Sequence, residues 1–181
     1  MEDIIKSFRE TYRRELNVIE VNDLPFALLA EVINQSVLRG ATKVSVTFDG
    51  NVFCVKDNAA PIEYRLDSEV VLRPRSEGMA SDQTRRLHRI LGRQWDNSAY
   101  AKVCALCSRF TFITSQGEHL RSIDCRDGIA VACNESDLGI GDGNMVVMRA
   151  FVGADDIDKE FVDYVMEAIS ERFPHVSFKL Q

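Results

Sequence analysis

Apolar residues recur at helical spacing in four segments of the chain. The clearest is 26–40, which ends on Gly40, a residue that commonly terminates a helix. Weaker helical patterns cover 3–16 and 99–107. The fourth segment, 155–173, begins with aspartates suited to a helix N-terminus. The residues predicted to share its buried face are Ile157, Phe161, Val165 and Ile169.

Strand patterns fill most of the remaining chain. Residues 43–57 are predicted to form two strands joined by Asp49-Gly50, a dipeptide that favours a hairpin turn. Four more strands are predicted within 109–152, and a last one at 176–180 whose partner the pattern leaves open. The expected fold is α+β, a two-layer α/β sandwich with a mixed sheet and helices on one face, in a single domain over 1–181.

A polar, arginine-rich stretch interrupts these patterns at about 62–97 and is predicted to be a flap. With 22 basic and 28 acidic residues the net charge is −6, which argues against nonspecific DNA binding by the whole surface. The candidate for a local basic patch is 73–93, and the alternative is a solvated loop and helix face.

Composition places the protein inside the cell, in the nucleus or the cytoplasm. No stretch of the 181 residues approaches the roughly 20 apolar residues of a membrane span, and the N-terminus lacks a signal-peptide core. Five cysteines are an odd number in a chain of this size, so reduced thiols are expected. The Cys104 and Cys107 pair lies in an apolar run and is expected to pack in the core.

Candidate chemistry centres on one helix face and the end of the hairpin. Glu31 and Gln35 lie four residues apart, so they project from the same face of the predicted helix. A carboxylate and an amide so placed could orient a water and a hydrated Mg²⁺. Asp57-Asn58 follows the second hairpin strand. The alternative interpretation is an ordinary polar helix surface and an ordinary turn.

Two segments carry a resemblance to a known family. Residues 31–42, EVINQSVLRGAT, resemble the helix motif E-L-V-x-N-S-x-D-A-G-A-T of MutL-type mismatch-repair ATPases. After a hairpin, residues 57–62, DNAAPI, resemble that family's D-N-G-x-G-I. Similarities to later motifs continue to about residue 180, including GNMVVMR at 143–149, which looks like the family strand G-T-x-V-x-V-x.

The resemblance implies a GHKL ATPase domain that binds ATP and Mg²⁺. In it, Glu31 matches the general base that activates the attacking water, and Asp57 matches the carboxylate that reads the adenine amino group. Gln35 stands at the metal-binding asparagine, so it is the implied metal ligand, with an added methylene that octahedral Mg²⁺ tolerates poorly. Besides Asp57 and Gln35, the implied nucleotide-binding positions are Ala59, Pro61, Gly92 and Asn144.

Several of these positions depart from the family pattern. Ala59 and Pro61 replace two glycines, Asn144 replaces a threonine, and the lid motif around Gly92 lacks its second glycine. The resemblance therefore leaves two functions open. The first is ATP-gated dimerisation that clamps DNA or partners in mismatch repair or meiotic recombination. The second is a pseudo-ATPase that heterodimerises with an active MutL-type homologue. The family's transducer domain is expected to be absent from this chain.

Overall fold

The structure is a computed structural model. It describes residues 9–10, 12–14, 16–60, 98–116, 119–126, 129–133, 142–154 and 157–181. The flap at 62–97 and the basic segment 73–93 lie outside these residues. The opening helix is seen only in part: residues 9–10 and 12–14 are helical, and Tyr12 is buried.

Beyond that opening segment, the described part of the chain contains three α-helices and seven strands. The helices are α1 Leu24–Leu38, α2 Ser98–Leu106 and α3 Lys159–Arg172. The strands are β1 Lys43–Asp49, β2 Val52–Asp57, β3 Cys107–Gln116, β4 His119–Arg126, β5 Ile129–Cys133, β6 Gly143–Phe151 and β7 Ser177–Leu180. A 3₁₀ turn at Val21–Asp23 leads into α1. Every predicted helix and strand that falls within the described residues is present, with ends shifted by a few residues.

The seven strands form one mixed sheet. Their order is β5-β4-β3-β6-β2-β1-β7. Only β1 and β7 run parallel, and all other described neighbours are antiparallel. The β1–β2 hairpin turns at Gly50, whose φ of 57° suits glycine. The final strand, whose partner the sequence left open, therefore completes this same sheet beside β1.

The three helices cover one face of the sheet, which confirms the predicted two-layer sandwich. Leu28, Leu29 and Val32 of α1 are fully buried and pack in one core cluster with sheet residues such as Val46 and Met148. Each such side chain contributes about 1.5–3 kcal/mol through burial. No helix in the described ranges is long and apolar enough to span a membrane.

The buried face of α3 differs from the predicted one. Val162, Met166 and Ile169 are its buried residues, whereas Phe161 is 39% exposed. Of the predicted face, only Ile169 is buried. A series spaced strictly by four residues rotates by about 40° at each step around a helix of 3.6 residues per turn. The predicted stripe therefore rotates away from the buried face, so that Ile157 and Val165 pack only partly against the core and Phe161 is exposed.

Candidate functional site

The polar side chains that the sequence singled out meet where β2 ends. Asp57, the last residue of β2, lies opposite Val44 on β1 and Asn144 on β6. It faces the helix layer and is 8% exposed. The C-terminal end of α1 passes above it. Asp57 is thus a nearly buried carboxylate at the junction of the sheet with the first helix.

Four donors surround the Asp57 carboxylate. Its Oδ2 accepts hydrogen bonds from Ser36 Oγ and from Arg39 Nη2, the latter at 3.0 Å. Its Oδ1 accepts from the Ala59 backbone N–H at 2.9 Å and from Asn144 Nδ2 at 2.7 Å. A carboxylate offers about four lone-pair positions. Residues from α1, β6 and the turn after β2 therefore saturate this group.

Arg39 is held in place on three sides. Its Nη2 forms an ion pair with Asp57, and the two side chains are only 16% and 2% exposed. Its Nε donates to the Gln35 carbonyl at 3.2 Å. Its guanidinium carbon lies 5.8 Å from the centre of the Tyr100 ring on α2, within the range of a cation–π contact. Arg39 thereby joins α1, α2 and the end of β2.

The orientation of the Asn144 amide follows from its surroundings. Its Nδ2 faces three acceptors: Asp57 Oδ1 and, at 3.3 and 3.4 Å, the carbonyls of Ala59 and Ala60. The opposite orientation would aim an amide oxygen at these acceptors. Asn144 Oδ1 and Arg39 Nη1 are buried and find no hydrogen-bond partner in the described part of the chain. Each such group costs about 1–3 kcal/mol, so the cluster is not at its stability optimum.

Gly143 allows β6 to approach Asp57 this closely. Its φ is 133°, and a Cβ at this position would lie 2.0 Å from the Asp57 carbonyl oxygen. Both the backbone conformation and the space exclude a larger residue. The glycine thus lets the following residue, Asn144, reach the carboxylate.

Asn58 has a separate, structural role. Its Oδ1 accepts from the backbone N–H groups of Thr42 and Lys43, both at 2.9 Å, and its Nδ2 donates to Thr42 Oγ1 at 2.9 Å. These bonds tie the end of β2 to the loop between α1 and β1. For Asn58, the turn interpretation explains the residue fully.

Glu31 and Gln35 lie on α1 as predicted, and Arg39 continues the same stripe one turn later. Lys102 of α2 contacts Glu31, with Nζ 3.3 Å from Oε1 and side-chain exposures of 10% and 23%. The candidate base is therefore ion-paired. No cluster of three or more His, Cys, Asp or Glu side chains suited to a metal occurs within the described ranges, and the assignment of Gln35 as a metal ligand stays a prediction.

The structure brings together Asp57, Ala59 and Asn144 of the predicted nucleotide-binding residues. Glu31 and Gln35 lie on α1, and Arg39, which contacts this group, directly follows that helix. Pro61 and Gly92 lie outside the described residues.

Burial at this junction also changes acid–base behaviour. Burial, with a further contribution from the Asp57 charge, raises the pKa of Tyr100 to about 12, although the Arg39 charge opposes the shift. Burial likewise raises the pKa of the Cys107 thiol, at the α2–β3 junction, far above its ordinary range. Cys107 is fully buried, which agrees with the core packing expected for it.

Comparison with solved structures shows which fold this is. The MutL ATPase domain of Aquifex aeolicus complexed with ADP matches with a TM-score of 0.55 at 19% identity, over 86% of this chain and 58% of that one. The chain has the fold of MutL ATPase domains. A second structure of the ATPase domain from Aquifex aeolicus MutL, a bacterial mismatch repair endonuclease, matches with a TM-score of 0.56 at 17% identity, over 87% of this chain and 56% of that one.

A third match extends this likeness. The N-terminal domain of a DNA repair protein gives a TM-score of 0.53 at 13% identity, over 94% of this chain and 46% of that one. The chain thus spans about half of the length of these structures. No protein-family model and no curated protein matches the sequence. The MutL-type fold is therefore recognisable in three dimensions at identities below 20%.

Sequence reasoning missed two of the four donors to Asp57, Ser36 and Arg39. Arg39 occupies the position of alanine in the motif E-L-V-x-N-S-x-D-A-G-A-T, so the substitution was visible in the alignment of 31–42. The partners of Arg39 and Glu31 on α2, Tyr100 and Lys102, follow no motif. Their contacts depend on how α2 packs on α1, which the sequence pattern does not specify.

We expect Gly143→Ala to destabilise the fold by about 2–4 kcal/mol, because it adds an atom against the Asp57 carbonyl and strains the backbone. Urea denaturation monitored by circular dichroism measures this. Gly50→Ala is the matched control, since Gly50 also has positive φ but nothing lies within 4 Å of its Cβ position. Equal losses in the two variants would show that close approach at Gly143 is unimportant.

We also expect Tyr100 to make stability pH-dependent at high pH. A pKa raised from 10.0 to about 12 means that the folded state keeps a proton that the unfolded state has lost between these values. The contribution is therefore fully present below about pH 10 and disappears toward pH 12, a loss of about 2–3 kcal/mol. Urea denaturation between pH 9 and 12, as approximate limits of the titration, should show a steeper loss for the wild type than for Tyr100→Phe. Parallel curves would contradict the assignment.

Proposed function

We propose that this chain is a MutL-type DNA-repair domain that acts as a partner-binding module, with its adenine-reading carboxylate occupied by its own side chains. The observation that carries the proposal is the saturation of Asp57 by Ser36, Arg39, Ala59 and Asn144. The MutL-type fold supports the repair context. Of the two functions implied by the sequence, this geometry favours the pseudo-ATPase.

Adenine recognition at Asp57 would require the carboxylate to accept a hydrogen bond from an exocyclic amino group. All four of its lone-pair positions already have donors. An adenine amino group can enter only by displacing one of them. Ser36 and Ala59 are fixed by helix and backbone, and Asn144 by the β6 strand, so the side chain that can leave is Arg39.

The free-energy cost of moving Arg39 decides whether an adenine can bind at Asp57. Breaking a buried ion pair costs about 3–5 kcal/mol, because it leaves an unpaired charge out of water. That cost corresponds to a loss of about two to three and a half powers of ten in affinity. A nucleotide that would otherwise bind at about micromolar concentration would then need about millimolar concentration. As the side chains stand, the residues do not fit an adenine at Asp57.

The candidate catalytic base supports the same conclusion. A general base must accept a proton from the attacking water. The ammonium group of Lys102 contacts Glu31 at 3.3 Å and is itself mostly buried. Gln35, at the position of the metal-binding asparagine, lies on the same face of α1. Glu31 is thus engaged by an ammonium group, and Gln35 differs from the family's asparagine by one methylene.

The partner that fits this proposal is a MutL-type homologue with an intact nucleotide site. A domain that keeps the fold but closes its own pocket can still present the surfaces on which such proteins associate. The competing proposal is the ATP-gated clamp. It draws support from the ADP complex of the Aquifex aeolicus domain, which shares this fold.

Calorimetric titration with a non-hydrolysable ATP analogue, with and without Mg²⁺, separates the two proposals. We expect no saturable heat for the wild type at about millimolar ligand. Arg39→Ala restores the family's alanine and leaves Asp57 with three donors, so it should gain binding. Adding Asp57→Asn to this variant should abolish the gain.

Each variant is first checked for folding by circular dichroism and thermal denaturation. Saturable, Mg²⁺-dependent binding by the wild type would refute the closed pocket and favour the clamp. No gain in a folded Arg39→Ala variant would show that Arg39 is not what closes the site.

A further inference from the structure

The solvent side of α3 carries an exposed aromatic pair. Phe161 and Tyr164 are 39% and 65% exposed, and their rings stack with centres 5.8 Å apart. Phe161 in turn meets the buried Phe26 of α1 edge-on, with 4.7 Å between the ring centres. Tyr164 therefore rests on a ring that is itself fixed to the core, and this preorganises an exposed aromatic side chain for contact with a partner.

Acidic side chains flank Tyr164 along the exposed side of α3. The buried side of this helix is formed by Val162, Met166 and Ile169. Successive residues of a helix are rotated by about 100°, which places four side chains within an arc of about 60° on the side opposite the buried ones. They are Glu160, Tyr164, Glu167 and Glu171, and all four are exposed. The tyrosine therefore lies within a row of carboxylates.

These carboxylates weaken the helix that carries them. Asp163 and Glu167 are four residues apart, as are Glu167 and Glu171, and like charges at this spacing repel each other. Glu171 also lies in the last turn of α3, where the helix dipole favours positive charge. None of the three forms an ion pair within the described part of the chain. The acidic row therefore contributes nothing evident to the stability of the fold.

Two further exposed apolar side chains lie near the start of α1. Ile19 is 94% exposed and Val21 is 39% exposed. A Cβ on Gly153, in the turn between β6 and α3, would lie 3.2 Å from Val21, so Val21 is close to the segment that leads into α3. Exposed apolar side chains that lie together mark contact sites on soluble domains. The aromatic pair thus belongs to an apolar surface that extends toward the start of α1.

We infer that this face of α3 binds a basic amphipathic helix of a partner protein. Charge complementarity argues for that occupant, because lysine or arginine side chains at helical spacing would pair with the carboxylate row. An apolar side chain between them would pack on Tyr164, and a cationic one could lie over its ring. The row from Glu160 to Glu171 spans about 16 Å, or three turns of helix. The inference deepens the proposed partner-binding role and rests on it.

Other partners fit this face less well. A second copy of the chain would bring two acidic rows together, and like charges across an interface disfavour association. A nucleic acid or an anionic membrane would meet the same repulsion. The Asp57 cluster is not involved, because none of the four donors to Asp57 comes from α3.

Fluorescence anisotropy of a labelled synthetic peptide, titrated with the full chain, tests the inference. The probe is a peptide of leucine and lysine, about 18 residues or five helical turns long, with leucine along one side. A second peptide, with glutamate in place of every lysine, is the control for charge. We expect saturable binding of the lysine peptide that weakens as salt is added, and no binding of the glutamate peptide.

Two variants of the chain separate the aromatic contribution from the acidic one. Tyr164→Ser should weaken binding by about tenfold and leave its salt dependence unchanged. Glu167→Gln with Glu171→Gln should weaken binding by about threefold or more at low salt and reduce its salt dependence. The matched control, Glu10→Gln with Asp49→Asn, removes the same charge from exposed positions outside α3 and should stay within about twofold of the wild type. Circular dichroism checks that each variant is folded.

Four results would overturn the inference. The first is a wild type that does not bind the lysine peptide at low salt, and the second is an equal loss in both double variants. The third is equal binding of the two peptides, which would show that charge is not recognised. The fourth is self-association in analytical ultracentrifugation that Tyr164→Ser abolishes, which would assign the face to a second copy. A wild type that binds ATP would refute the closed pocket while leaving the comparison between the variants unaffected.

Discussion

The buried ion pair between Arg39 and Asp57 is the interaction on which the rest of this structure depends. A carboxylate that is almost entirely removed from water must find donors within the protein. Here they come from the end of α1, from β6 and from the turn after β2, and Arg39 also rests on α2. One charged group therefore fixes the position of two helices relative to the sheet. The same contacts occupy the group on which adenine recognition would depend.

The need to satisfy Asp57 also explains features that would otherwise seem unrelated. Gly143 has a backbone that only glycine adopts easily, and its missing side chain brings Asn144 within reach. The Tyr100 ring lies against the Arg39 guanidinium, and in this position its hydroxyl group is buried. Lys102 of α2 forms an ion pair with Glu31 of α1. Together these contacts form a junction whose polar side chains bond mainly to one another. The same fold occurs in a MutL ATPase domain complexed with ADP.

Much of the fold follows from the periodicity of the sequence, because helices and strands bury residues at different spacings. The hairpin at 43–57 and the long helix ending near Gly40 are of this kind. The parallel pairing of β7 with β1 does not follow from periodicity, since a short strand pattern does not specify which strand lies beside it. The face predicted for α3 was correct only in part, because a series of residues spaced by four rotates around a helix of 3.6 residues per turn.

The candidate site was predicted only in part, for a related reason. Motifs located Asp57 and Ala59, which are near neighbours in sequence, and the distant Asn144, and the three meet in space. They could not show that Arg39 turns inward, because that depends on how the packing of α2 places the Tyr100 ring beside its guanidinium.

The most direct measurement is a crystal structure of this chain grown with a millimolar concentration of a non-hydrolysable ATP analogue and Mg²⁺. The account predicts the Arg39 guanidinium against Asp57, with no adenine at that carboxylate. An adenine amino group within hydrogen-bond distance of Asp57, with Arg39 displaced, would contradict it.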